Sequence, residues 1–156
     1  MKIRILAVGN KMPHWVTEGY QQYAQRLRSD CQLELLEIVP GRRKQGADIS
    51  KIIHIEGENM MKKISPKNHL VALDVKGESW TTEALAKSLK KWQMLGKNVD
   101  LLIGGPEGLA EECLNKAKQK WSLGPLTLPH PLVRILVAES LYRAWSINNN
   151  HPYHRA

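Results

Sequence analysis

Acidic residues are the scarce charge in this 156-residue chain: 15 Asp and Glu face 23 Lys and Arg, a formal net charge of +8. An excess of that sign suits a polyanionic partner such as nucleic acid, and equally an ordinary soluble surface. Cysteine is scarcer still. Cys31 and Cys113 show no CxxC spacing, which argues against a zinc site or a secreted disulfide framework and fits a reducing, cytoplasmic compartment. No long apolar run is present. The most apolar segment, residues 132–147, is interrupted by Arg134, Glu139 and Arg143, and falls short of the roughly 20 apolar residues of a membrane span. Residues 1–9 are broken by Lys2 and Arg4 and lack the apolar region of a signal peptide. Repeats, low-complexity tracts and Pro/Gly/Ser linkers are also missing, so residues 1–156 read as a single domain. With 42% hydrophobic residues, and about 70% of the unfolded surface buried at this length, such a domain builds a core without disulfide or metal staples.

The hydrophobic pattern alternates between two periods. Short apolar stretches at residues 3–8, 33–39, 70–75 and 99–103 predict strands, and residues 123–128 predict a fifth despite Gly124 and Pro125. Trp15, Val16, Gly19, Tyr20, Tyr23, Ala24 and Leu27 recur at steps of one and three, one face of a helix. Asp48 is placed to cap a helix running to about residue 63, and Thr81 or Thr82 to cap one that turns Leu85, Leu89 and Trp92 inward. A glycine-rich turn at 104–108 opens a helix to about residue 120, and the last helix starts near Pro131, which suits a first-turn position. Strands each followed by a helix predict an α/β fold, a parallel sheet with helices on both faces. Its ligands would bind in the loops at the carboxyl ends of the third, fourth and fifth strands.

Three segments carry chemistry. In residues 104–108, GGPEG, the glycines can admit a ligand to the backbone beside outward-pointing helix amides, although the same residues also make a plain turn. The turn is neither a P-loop nor a dinucleotide fingerprint, and Glu107 suits a first helical turn with or without a catalytic role. Residues 122–131, SLGPLTLPHP, combine three prolines with Gly124, a stiff backbone suited to a ligand wall or to an edge strand with a rigid exit. His130 stands between two of those prolines. Residues 132–147 are apolar nearly all round, which predicts one face on the sheet and another against a second copy of the chain. A central helix within a monomer is the alternative. The tail, NNNHPYHRA, concentrates a phenol, two imidazoles and a guanidinium that could stack on a base, move a proton or hold an anion. Arg42, Arg43, Lys44 and Arg134 are candidate phosphate contacts.

The stretches LLIGGPEG, SLGPLTLPHPLVRILVAESLYRAWSI and NHPYHR, with the opening VGNKMPHWV and the central LDVKGESW, resemble a known family over essentially the whole chain. It is the small SPOUT (α/β-knot) methyltransferases that methylate N3 of a pseudouridine in large-subunit ribosomal RNA. The resemblance implies a C-terminal trefoil knot, a homodimer, action on assembled ribosomes without a membrane or a metal, and an S-adenosyl-L-methionine site formed by the knotted loops. Matched motif by motif, that site takes in Leu73, Gly104, Gly105, Leu123, Gly124, Pro125, Leu126, Thr127 and Leu128. Gly124 and Pro125 stand where family members often carry Ser or another small residue. The implied displacement needs alignment and a ring nitrogen freed of its proton. That chemistry assigns the tail catalytic roles: Arg155 stabilising the imide anion, His154 as candidate base, and Tyr153 stacking or hydrogen bonding. An ordinary nucleotide-dependent enzyme and a non-catalytic ribosome-binding factor stay open as alternatives.

Overall fold

The computed structural model describes residues 1–28 and 30–155; Ser29 and Ala156, the last residue of the domain read from the sequence, lie outside the described residues. Strands β1 (Lys2–Val8), β2 (Gln32–Ile38), β3 (His69–Ser79), β4 (Val99–Ile103) and β5 (Gln119–Ser122) form one sheet in the order β2-β1-β4-β3-β5. All its pairings are parallel. Helices α1 (His14–Ala24), α2 (Ile49–Met61), α3 (Thr82–Met94), α4 (Glu111–Lys116) and α5 (His130–Asn148) cover both faces.

Strand alternation sorts the core into two layers. Ile3, Ile5 and Ala7 of β1 join Leu101 and Ile103 of β4 in a cluster with α1, α3 and α5. Leu6, Val8 and Leu102 point the other way, to Met60 of α2 and Cys113 of α4. Caps appear where the sequence places them. The Asp48 carboxylate accepts from the Ser50 amide at 3.0 Å, and the Thr81 hydroxyl from the Ala84 amide at 3.1 Å.

The second half departs from the expected boundaries. β5 is Gln119–Ser122, not residues 123–128. Gly124 sits at φ +119°, and Pro125 and Pro129 have no amide hydrogen, so the chain beyond Ser122 cannot continue a ladder. α4 correspondingly ends at Lys116 rather than near residue 120. β3 runs to Ser79, past the expected end at residue 75, because it leaves the ladder and rejoins it: Leu73 and Glu78 both register with Trp121. The excursion is tight. A side chain at Gly77 would lie 2.7 Å from the Lys120 backbone.

The apolar circumference of α5 is covered largely within the protomer, leaving Leu132 and Leu136 exposed on its outer side. One face lies on the sheet, and α1 and α3 pack along its flanks. Gly19 permits the closest approach, since a side chain there would meet Ile135 at 2.7 Å. Val137, Ala138, Leu141 and Ala144 are fully buried. Arg134 is buried as well, donating to Glu37 at 2.8 Å and to the Gly9 carbonyl at 2.9 Å, and is not an exposed phosphate contact.

Candidate functional site

The excursion of β3 and the loops after β4 and β5 meet at a cavity of about 300 Å³. Its walls come from residues 73–75 of β3, the end of β4, the turn 104–109, the segment 123–128, and His130 and Val133 at the start of α5. Seven of the nine residues matched to a cofactor line it: Leu73, Gly104, Gly105, Leu123, Leu126, Thr127 and Leu128. Gly124 lines a neighbouring cavity of about 240 Å³, and Pro125 is exposed on the loop between the two. Trp121 and Leu123 belong to both cavities and form the wall between them. Val75 and Leu126, each 74% exposed, stand at the rim.

The glycines of the turn are demanded by the protein itself. A side chain at Gly104 would lie 2.5 Å from the Gly108 backbone, and Gly108 takes φ +92°. A side chain at Gly105 would meet Arg43 at 3.1 Å and Glu56 at 3.2 Å. Arg43 grips this turn from the far side. It donates from Nε and Nη2 to Glu107 at 3.2 and 2.6 Å, from Nη1 and Nη2 to Glu56 at 2.9 and 3.2 Å, and from Nη1 to the Gly41 carbonyl at 3.2 Å. That uses all the N–H donors a guanidinium has, so Arg43 is not a free phosphate contact. The Arg43 fork holds the Glu107 carboxyl below the usual carboxylate range.

His130 stands at the cavity edge with Nδ1 buried and unpartnered. Burial, then the charges of Arg134 and Arg43, push its pKa down, which favours the neutral ring. The two thiols are inert to nucleophilic chemistry: burial raises Cys31 to about 12 and Cys113 to about 11. Among the described residues, no group of three or more His, Cys, Asp or Glu could hold a metal ion.

The tail does not line the first cavity; it folds back on α5 beside the second. The Tyr153 ring lies 4.6 Å from that of Tyr142 and under the Arg143 guanidinium at 4.8 Å, and its hydroxyl donates to Glu139 at 3.0 Å. Burial and the Glu139 carboxylate raise the Tyr153 pKa to about 12, so it is a phenol at neutral pH. Arg143 donates to Glu139 from Nε at 2.9 Å and Nη2 at 2.6 Å, and its Nη1 faces His154 Nδ1 at 3.4 Å. The structure therefore brings Tyr153 and His154 together around Arg143, while Arg155 is exposed. Glu139 and Arg143, which line the second cavity, were missed as site residues. The signal was their i,i+4 acid–base spacing on the last helix.

A family model described as "Predicted SPOUT methyltransferase" matches residues 1–154. Among solved structures, a probable methylase family protein from Haemophilus influenzae Rd KW20 superposes with a TM-score of 0.55 at 15% identity, covering 99% of this chain and 70% of that one. A protein assigned to a methylase family from Neisseria gonorrhoeae gives 0.50 at 11% identity, covering 90% and 80%. At such identities the two structures bear on the fold alone, and the five-stranded parallel sheet flanked by helices is consistent with the SPOUT fold.

Proposed function

The chain belongs to the SPOUT methyltransferase family, and from that premise we propose that it methylates N3 of a pseudouridine in large-subunit ribosomal RNA, acting on assembled ribosomes in the cytoplasm. The observation that carries the reading is the convergence of the β3 excursion and the loops after β4 and β5, including seven of the motif-matched residues, on one cavity in a chain matched to this family over residues 1–154. Among the described residues no helix is long and apolar enough to cross a membrane.

The residues fit S-adenosyl-L-methionine, the methyl donor the family implies. Leu123, Leu126 and Leu128 offer apolar lining for a planar base and a ribose, and the 104–108 turn lines the same cavity. When bound, the cofactor supplies a methyl group on a cationic sulfur. The chain's share is to orient donor and acceptor and to favour the deprotonated acceptor nitrogen. Arg155, exposed and permanently charged, is assigned to stabilise the imide anion. Tyr153 holds the tail on α5 through Glu139. His154 takes a proton only after releasing Arg143, since its Nδ1 lone pair faces that guanidinium. Labelled methyl transfer to ribosomes, followed by digestion to nucleosides, tests the proposal: methylated pseudouridine supports it, and label on another nucleoside or none overturns it.

Two further results follow from the geometry. Leu126→Arg, at an exposed rim position, should leave the melting temperature unchanged and weaken S-adenosylhomocysteine binding at least about tenfold, roughly 1.4 kcal/mol. Unchanged affinity by calorimetry would remove the 123–128 segment from the site. The homodimer is proposed to form over the outer stripe of α5 and the start of α1, where Leu132, Leu136 and Trp15 remain 38%, 40% and 54% exposed. Leu136→Glu should give a folded monomer in light scattering. Ala138 and Leu141 do not serve for this test, because both are core residues.

A further inference from the structure

Resting on the cofactor reading above, we infer that Arg43 is a positioning residue that sets the shape of the cofactor cavity from outside it. The segment 39–48 carries the arginine, α2 carries the buried Glu56, and the turn after β4 carries Glu107. One guanidinium joins all three. The Glu56 carboxylate also accepts from the Gly41 amide at 2.9 Å, so the near side of the link is fixed before Glu107 is engaged. The far side is the cavity wall, because Glu107 sits between Pro106 and Gly108 in the turn that closes on itself through the Gly108 amide and Gly105 carbonyl at 3.0 Å. Gly105 has no side chain to interpose between the turn and this arginine, which brings the guanidinium against the turn's own backbone. The turn's own closure ties Gly105 to Gly108 but does not tie the turn to α2, and the Arg43–Glu107 pair supplies that link. Lysine cannot replace arginine here, since a point ammonium cannot fork onto two carboxylates.

Glu107→Gln and Arg43→Lys separate this role from general stability and from direct contact. E107Q leaves the Arg43–Glu56 pair intact. It should speed hydrogen exchange at the Gly108 amide by about tenfold and weaken S-adenosylhomocysteine binding by a similar factor, with exchange in β1 and β4 unchanged. R43K should do the same, and the double variant should be little worse than either single one. Wild-type exchange at Gly108 in E107Q overturns the inference, and E107Q decides alone should R43K fail to fold. If E107Q weakens binding and a folded R43K does not, Glu107 acts by touching the ligand and the inference is likewise overturned. A wild-type protein that does not bind S-adenosylhomocysteine overturns the cofactor reading instead, while exchange at Gly108 still decides the positioning role.

Discussion

Removing the residues beyond Asn150 is expected to abolish methyl transfer and also to lower the melting temperature by roughly 4–8 °C. The second effect follows from the structure, because the tail is part of the fold. Tyr153 packs on Tyr142 and donates to Glu139. An aromatic pair of about 0.5 kcal/mol, the low end for a half-buried ring, and a charge-assisted hydrogen bond of about 1.5 kcal/mol give about 2 kcal/mol in all, and each kcal/mol moves the melting point of a domain this size by roughly 2–4 °C. The tail therefore contributes to stability as well as carrying the proposed catalytic groups. Arg155→Lys separates the effects: the side chain is exposed, so melting should be unchanged while the rate falls at least about tenfold, for want of a planar two-pronged donor. His154→Ala tests the proton acceptor. Loss of the acid-side fall in rate supports His154 as the base; an unaltered pH profile assigns deprotonation elsewhere. A truncated protein that methylates ribosomes at the full-length rate would refute the proposal for the tail.

Asp100→Ala is expected to be the most destabilising single change, by about 3–5 kcal/mol, a large part of the 5–15 kcal/mol that typical domains possess. Asp100 is fully buried in the middle of the sheet. Its carboxylate accepts from Arg4 Nε and Nη2 at 2.7 and 2.8 Å, from the Ser65 amide at 2.9 Å and from Asn68 Nδ2 at 2.9 Å. Truncation would strand all these donors. Urea unfolding should show a lower midpoint with an unchanged slope. The double change Arg4→Met and Asp100→Leu should recover much of the loss, because replacing a buried pair by apolar groups costs far less than orphaning one member. A single-variant loss under about 1 kcal/mol would contradict this account.

How far the sequence could be read depended on the range over which each feature is determined. β1, β2, β4 and the caps at Asp48 and Thr81 were legible because alternation and local capping chemistry act over a few residues. β5, QKWS, is short and polar at three of its four positions. It becomes a strand through pairing with β3, which no local pattern encodes. Seven of the nine motif-matched residues lie at the first cavity, but the neighbouring one was not anticipated. Arg43 was visible as a charge in a polar loop, whereas its partners lie 13 and 64 residues away. Arg134 was misread as an exposed contact for the same reason, since its partners Glu37 and Gly9 lie 97 and 125 residues away.

The lateral packing of α5 also governs how the protein is made. Until residues 130–148 are in place, the sheet has an apolar slot between α1 and α3 with nothing to fill it. Val137, Ala138 and Leu141, which have no exposed surface in the finished molecule, are among the residues that fill it. Chains lengthen at about 5–20 residues per second, so the slot faces solvent for roughly a second or more before residues 130–148 follow. For that interval the nascent chain displays a greasy trough of the kind that holdase chaperones bind, and insertion of α5 is the step that ends its exposure.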